Sequence, residues 1–233
     1  MKGLAGGLLV LDAQQCAEHA FLSAADRCHC LAEYLPGRGY RAGEVNQLIL
    51  NLKCAPSIAA LDARRRYYKQ RAINDIASAL RTAVDQAEVE RTTWIPIPTS
   101  RPAADADYDD RLQRILWAAF GRYQLDLRSA LYQRQAVPAD HRSARRLGAQ
   151  ALLRIIGLDR ELLEREPLRE RIVLFDDVLT SGKHYKCCEW RLREQLAVVP
   201  ISGLFVARRV LPRRRGCPPP PGHAGTARAV MTS

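Results

Sequence analysis

The chain has 233 residues, which is enough for one sizeable α/β domain with an extension but hardly for two large domains. Its 47% of apolar and 26% of charged residues are typical of a globular protein. No apolar run approaches the ~18 to 20 residues needed to span a bilayer, so we expect no membrane association.

The N-terminal sequence and the number of cysteines indicate the cellular compartment. The apolar stretch at residues 3–11 lacks a convincing cleavage site, so we expect no signal peptide. Seven cysteines, an odd number, argue against a disulfide framework and favour a reducing cytoplasm.

The Cys-His-Cys sequence at 28–30, with Cys16 and His19, is the one cluster of metal-ligating residue types. Its spacing is not that of a familiar zinc finger, and we expect thiols buried in a helix.

The first 66 residues are predicted to form a helical extension, interrupted by the turn signal Pro-Gly-Arg-Gly at 36–39. Residues 67–90 predict an amphipathic helix that covers one face of a sheet. Its apolar positions follow helical spacing and are Ile73, Ile76, Ala77, Leu80 and Val84.

Short strands and helices alternate from residue 94 onward, which predicts an α/β fold with a right-handed parallel sheet flanked by helices. Prolines limit the strand at 94–98 to an edge-like or terminal position. The later predicted elements are a polar mobile loop at 102–110, a helix with a buried stripe between 112 and 120, a strand at 129–132, a basic loop at 133–146, a helix at 144–156 and a strand from 198 or 201 to 207.

The most informative stretch is residues 171–184, RIVLFDDVLTSGKH. Its apolar run predicts a strand buried on both faces, with Asp176 and Asp177 at the carboxyl end, where parallel strands present ligand groups. Thr-Ser-Gly at 180–182 predicts a tight turn at a helix N-terminus, which favours phosphate. The two carboxylates suit ribose hydroxyls or Mg²⁺. The stretch therefore predicts a site for a ribose 5-phosphate, and the alternative is an ordinary strand-to-helix turn whose acids cap the helix.

This pattern resembles the 5-phosphoribosyl-1-pyrophosphate (PRPP) loop of type I phosphoribosyltransferases. The resemblance implies that Asp176 and Asp177 contact the ribose, act in catalysis and hold Mg²⁺. It also implies that the 5-phosphate is wrapped by residues 180–184. The substrate-binding residues implied in this stretch are Val178, Leu179, Thr180, Ser181, Gly182, Lys183 and His184.

Two positions depart from the family pattern. His184 stands where the family usually has Thr or Ser, so an imidazole replaces one phosphate-binding hydroxyl. Thr180 stands where 6-oxopurine enzymes carry an Asp, which argues against hypoxanthine or guanine salvage.

A second segment of the predicted site follows the strand at 94–98. By the resemblance, Thr99, Ser100 and Arg101 lie in the loop that holds pyrophosphate, and Arg101 is catalytic because negative charge builds on that leaving group. Residues 102–111 are expected to close as a lid that excludes water and brings Arg111 to the substrate.

The order of the segments WIPIPTSR, DYDDRL and VLFDDVLTSG resembles the ComF-like branch of the family over about residues 67–209. The resemblance implies a Mg²⁺-dependent enzyme that transfers the phosphoribosyl group of PRPP to an acceptor, which the sequence does not name, and releases pyrophosphate. The alternative is a PRPP- or nucleotide-sensing regulatory or defence module without turnover. A third hypothesis is an effector whose acceptor is a macromolecule.

Three parts of the chain follow from these predictions: a helical extension and candidate hood at 1–66, a phosphoribosyltransferase-like α/β domain at 67–211 and a tail at 212–233. The tail is rich in proline and arginine, and no acidic residue follows Glu194. We expect it to be disordered and to offer a contact for nucleic acid or an acidic protein partner. The sequence leaves the oligomeric state open.

Overall fold

The computed structural model describes residues 4, 6–136, 148–196 and 198–211. In those ranges, no helix is both long and apolar enough to cross a membrane. Six strands form one sheet in the order β1-β2-β8-β7-β3-β4, in which β1 runs antiparallel to β2 and the other neighbours are parallel. These strands are β1 (Leu9–Val10), β2 (Cys28–Tyr34), β3 (Thr92–Pro96), β4 (Asp126–Leu127), β7 (Arg171–Leu179) and β8 (Ile201–Arg209).

Helices cover both faces of this sheet, so the predicted α/β fold with a mostly parallel sheet is confirmed. A separate antiparallel pair consists of β5 (Leu131–Gln133) and β6 (Ile156–Leu158). The helices are α1 (Ala13–Ala17), α2 (Glu44–Leu52), α3 (Pro56–Leu61), α4 (Ala63–Ala83), α5 (Gln86–Glu90), α6 (Arg111–Phe120), α7 (Ala149–Ile155), α8 (Arg160–Glu164) and α9 (Lys183–Arg193), with a 3₁₀ turn at Gly39–Ala42.

Strand β7 shows how the sheet divides the core. Val173 and Phe175 pack with α2, α4 and α6, whereas Ile172 and Leu174 pack on the opposite face with α1, α7 and α9. All four side chains are fully buried. Burial of each such side chain contributes about 1.5–3 kcal/mol, which explains why a continuous apolar run is needed here.

The prediction that the first 66 residues are a helical extension is wrong for residues 28–34, which form β2 between β1 and β8. Cys28 and Cys30 are fully buried in this strand, not in a helix. Both faces of β2 are covered, so its sequence lacks the apolar–polar alternation that marks a half-exposed strand. Among the described residues, no three His, Cys, Asp or Glu side chains are placed to hold a metal ion.

Strand β3 is not at the edge of the sheet, because β7 pairs with one side of it and the short β4 with the other. The Ile97 amide donates to the Phe175 carbonyl of β7, so the nitrogen of the neighbouring Pro96 faces the β4 side. Strand β4 reaches only as far as Trp94. The prolines are therefore tolerated because one sits at the end of the strand, beyond its short neighbour.

Other elements differ from the predictions mainly at their ends. The helix predicted at 67–90 begins earlier and divides into α4 and α5, and the strand predicted at 129–132 is observed at 131–133. The helix predicted at 144–156 is observed at 149–155, and its first residues lie outside the described ranges, as do most of the basic loop and the tail at 212–233.

Candidate functional site

The acidic pair lies in a notch at the carboxyl edge of the sheet. Strand β7 continues to Leu179, so Asp176 and Asp177, which the sequence places at the carboxyl end of the strand, lie within its last four residues. The pairing between β7 and β3 ends at Phe175, whereas the pairing between β7 and β8 continues. The two carboxyl groups therefore lie beyond the end of β3, at the edge where open parallel sheets bind ligands.

The turn after β7 has the conformation that its sequence predicts. Gly182 has φ +78°, a left-handed conformation that favours glycine, and α9 begins at the next residue. The first-turn amides of a helix have no acceptor within the helix, and they attract anions together with the helix dipole. Thr180 is exposed and Ser181 is half-buried, while the side chains of Val178 and Leu179 are buried in the core.

An N-terminal segment that the sequence did not connect with the site packs on this turn. The His19 Nδ1 atom lies 2.5 Å from the Thr180 carbonyl oxygen, and the Phe21 amide donates to the Ser181 carbonyl oxygen over 2.9 Å. A Cβ atom on Gly182 would come within 2.8 Å of the Leu22 side chain. These N-terminal residues therefore contact the turn at its carbonyl oxygens.

Asp177 is buried and carries two cationic partners. Lys53 Nζ lies 2.9 Å from its Oδ1, and the Arg111 guanidinium donates to its Oδ2 over 2.6 Å from Nη2 and 3.0 Å from Nε. Burial by itself would raise the pKa of Asp177, but Lys53 and Arg111 hold that pKa well below its usual range. Asp177 is therefore a carboxylate at neutral pH.

The contacts continue away from Asp177 as an ion chain, by which we mean Lys53–Asp177–Arg111–Asp109–Lys69. Arg111 Nη1 lies 3.0 Å from Asp109 Oδ2, and the same oxygen lies 2.6 Å from the buried Lys69 Nζ. The chain holds three cations and two carboxylates, so it brings a surplus of positive charge to the site.

Lys69 and Lys53 were both missed by the sequence analysis. Lys69 lies four residues before Ile73 and seven before Ile76, on the apolar face of α4, and a lysine at that spacing was a signal of a buried charge. Lys53 follows the last residue of α2 and has no such signal.

Asp176 differs from its neighbour in protonation. Burial and the adjacent negative charge of Asp177 raise the pKa of Asp176 to about 7. The Asp177 amide donates to Asp176 Oδ1 over 2.7 Å. At neutral pH, Asp176 can thus both donate and accept hydrogen bonds, and a sugar hydroxyl can donate to its ionised form or accept from its protonated form.

Among the described residues, His184 Nε2 and Thr99 Oγ1 are buried polar atoms without a hydrogen-bond partner, and His19 Nε2 beside the turn is another. Burial lowers the pKa of His184 to about 4, so its imidazole is neutral. A buried polar atom without a partner costs about 1–3 kcal/mol. Bound ligand or water would relieve that cost, and Thr99 and His184 belong to the two segments that the sequence assigned to the site, the loop after β3 and the start of α9.

The structure does not join Arg101 to the acidic pair. Its guanidinium lies 2.9 Å from Asp105 in its own loop, and no described contact links it to Asp176 or Asp177. Ser100 beside it is exposed. Arg111, predicted to reach the substrate by lid closure, is already bonded to Asp177.

The ion chain determines whether the carboxyl groups of the predicted Mg²⁺ site are free to ligate a metal ion. Both oxygens of Asp177 already have cationic partners, and one oxygen of Asp176 accepts from a backbone amide. A metal ion at Asp177 would have to displace Lys53 or Arg111. With the ion chain formed, Asp177 does not fit direct Mg²⁺ ligation.

No model of a known protein family matches the chain, and no curated protein matches it significantly.

Proposed function

We propose that this protein binds PRPP and transfers its 5-phosphoribosyl group to an acceptor, with release of pyrophosphate. The observation that carries the proposal is the left-handed Gly182 turn at the start of α9, directly after the adjacent Asp176 and Asp177. This arrangement offers anion-binding amides and sugar-binding carboxyls within one short segment. The proposal includes a type I phosphoribosyltransferase-like fold for the α/β sheet.

Each part of the site has a role in this proposal. The amides of the turn, with the hydroxyls of Thr180 and Ser181, bind the 5-phosphate, while Asp176 contacts the ribose hydroxyls. The bond between ribose C1 and the pyrophosphate oxygen breaks, and its electron pair leaves with pyrophosphate. Lys53 and Arg111 are the cations bonded to Asp177, and we assign to them the stabilisation of that growing charge.

Asp177 acts in this proposal as the anchor that orients Lys53 and Arg111. A carboxylate between two cations fixes their side chains before substrate arrives, which lowers the ordering cost of binding. In this proposal Mg²⁺ neutralises the phosphates of the substrate. It does not bind Asp177 while Asp177 is paired with Lys53 and Arg111.

Calorimetric titration of PRPP, with and without Mg²⁺, tests the binding step, and detection of released pyrophosphate tests turnover. The double substitution of Asp176 and Asp177 by Asn is expected to weaken PRPP binding by about tenfold or more, because the sugar contact of Asp176 and the cation contacts of Asp177 are lost. Asp110→Asn is the control, since that carboxyl is exposed directly before α6 and pairs with Arg114, not with the ion chain. Unchanged affinity in the double variant would contradict the site assignment.

A second variant tests the leaving-group loop. Arg101→Ala is expected to reduce pyrophosphate release more than PRPP affinity, if Arg101 leaves Asp105 during the reaction. Equal losses would instead make Arg101 a simple binding residue.

One observation favours a PRPP-sensing module as the second candidate. Arg101, the predicted catalytic cation, is paired within its own loop, while Asp177 is neutralised by Lys53 and Arg111. Such a site can bind a sugar phosphate without completing the transfer. PRPP binding with no pyrophosphate release under any condition would support this candidate.

A further inference from the structure

A short N-terminal segment, residues 19–22, lies against the turn between β7 and α9 at two successive peptide groups. The His19 Nδ1 atom lies 2.5 Å from the Thr180 carbonyl oxygen. The Phe21 amide donates over 2.9 Å to the Ser181 carbonyl oxygen. Both carbonyl groups of the turn therefore face this segment.

The direction of these carbonyl groups fixes the direction of the two amides that follow them. In a planar trans peptide group the C=O and N–H bonds point to opposite sides, and the described residues contain no cis peptide bond. The Ser181 and Gly182 amides consequently point away from residues 19–22. Within the described part of the chain, neither of these amides donates to a protein group.

Two successive amides that point to one side form a concave anion site, called a nest. Nests occur where the backbone takes a turn conformation that includes a left-handed residue, and Gly182 is left-handed with φ +78°. Helix α9 begins at the next residue, and its dipole attracts an anion to the same place. A phosphate group offers several acceptor oxygens to such an arrangement, so phosphate is the ligand class that it favours.

The N-terminal segment is held in place by contacts of its own. The Leu22 amide donates to the His19 carbonyl oxygen over 2.8 Å, which closes residues 19–22 into a turn. The preceding Glu18 carboxylate accepts over 2.8 Å from the guanidinium of Arg208, a buried residue of β8. The segment is thus tied to the sheet by contacts that do not involve the phosphate turn.

The contact of His19 requires one tautomer of its ring. A carbonyl oxygen only accepts hydrogen bonds, so Nδ1 carries the proton. Burial lowers the pKa of His19 although the Thr180 carbonyl group opposes that shift, so the ring is neutral at neutral pH. Because Nε2 has no hydrogen-bond partner among the described residues, Nδ1 is the atom through which the ring orders the turn.

We propose that His19 is a positioning residue of the phosphate site, and that residues 19–22 hold the turn so that the Ser181 and Gly182 amides bind one phosphate group together. The identity of that group as the 5-phosphate of PRPP rests on the proposed function, whereas the orientation of the two amides does not. His19 does not touch the anion and acts through the Thr180 carbonyl group. Because the amides are oriented in advance, less ordering is required when the anion binds.

NMR of the full chain labelled with ¹⁵N tests the proposal on the unaltered protein. Inorganic phosphate and ribose 5-phosphate are titrated, and the amide signals of Ser181 and Gly182 are followed. We expect both amide protons to move downfield and to saturate, as hydrogen bonds to an anion predict. A long-range ¹H–¹⁵N spectrum of the imidazole is expected to show the proton of His19 on Nδ1. A proton on Nε2, or the absence of saturable shifts at these two amides, would overturn the proposal.

Substitutions of His19 separate positioning from packing. His19→Leu keeps an apolar side chain of similar size but lacks the donor, and it is expected to weaken ribose 5-phosphate binding about tenfold. His19→Asn places an amide N–H near the position of Nδ1 and is expected to keep the affinity within about twofold of the wild-type value. An unchanged affinity in His19→Leu, or an equal loss in His19→Asn, would contradict the positioning role.

His29→Leu is the matched control for the loss of a buried histidine. His29 is buried in β2 and its Nδ1 also has no hydrogen-bond partner among the described residues. It pairs in register with Leu204, four residues before Arg208, which lies opposite the last residue of β7. We expect this control to leave ribose 5-phosphate binding unchanged. Equal weakening by His29→Leu and His19→Leu would overturn the proposal.

PRPP titration of the same samples separates this proposal from the proposed function. Ribose 5-phosphate binding that depends on His19, without PRPP binding or pyrophosphate release, would retain the positioning role and reject the transfer. PRPP binding of equal affinity in the wild type and in His19→Leu would reject the positioning role and leave the proposed function.

Discussion

Lys69 is expected to hold the two cations of the site in place. Its buried ammonium group donates over 2.8 Å to the carbonyl oxygens of both Leu52 and Cys54, the residues on either side of Lys53. It also lies 2.6 Å from Asp109, the second partner of Arg111. One buried group thus positions the backbone of Lys53 and, through Asp109, the guanidinium of Arg111.

Lys69→Met keeps the length of the side chain and removes all three contacts. Burial lowers the pKa of Lys69 despite Asp109, so its charge is itself costly in the folded protein. The expected loss comes from the two carbonyl groups and Asp109 left without this donor, and we estimate about 3 kcal/mol. For a chain of this size that loss corresponds to about 6–12 °C in the melting temperature.

Thermal and urea unfolding measure this loss, with Arg71→Gln as the control. Arg71 lies on the same helix in an exposed ion pair with Asp75, so its replacement is expected to cost no more than about 0.5 kcal/mol. The positioning role has its own readout, the pKa of Lys53, measured by NMR after reductive methylation with ¹³C. Asp177 raises the pKa of Lys53 although burial opposes it. Lys69→Met is expected to lower that pKa. A stability loss like that of Arg71→Gln, or an unchanged pKa of Lys53, would refute the reasoning.

Three further outcomes are expected. Gly182→Ala should lower the free energy of unfolding in urea by about 1–3 kcal/mol, because Gly182 has a positive φ and lies close to Leu22. Gly148→Ala is the control and should change that free energy little, because Gly148 has φ −60° and no described atom lies near its added Cβ. Equal effects of the two substitutions would contradict a strained turn at Gly182. Because the pKa of Asp176 is raised to about 7 in the folded protein, the contribution of Asp176 to the unfolding free energy should fall between about pH 4 and pH 7 as pH rises; His184, whose pKa is lowered to about 4, contributes with the opposite sign over much of that range, so the expected result is that the unfolding free energy of wild type relative to Asp176→Asn falls across it. Mg²⁺ alone should give no saturable binding in calorimetry at millimolar concentration, since Lys53 and Arg111 occupy Asp177; a 1:1 isotherm that Asp177→Asn abolishes would show that the ion chain yields to the metal.

Features that depend on neighbouring residues were predictable from the sequence. The apolar run of β7, the acids beside it and the glycine turn before α9 follow from periodicity, burial and the conformational freedom of Gly182, all of which operate over a few residues. The alternation of strands and helices also predicted the parallel sheet, because parallel neighbours require crossover connections.

The tertiary structure alone decided which distant groups meet at the acidic pair. Arg111 and Asp177 are 66 residues apart, and Lys53 reaches the same carboxylate from the end of α2. No local pattern encodes such contacts, since they depend on the order of strands in the sheet and on how α2 and α6 pack over it. The placement of β2 beside β8 has the same origin: a strand covered on both faces needs no alternation, so its partner is settled by packing and hydrogen bonding across the sheet.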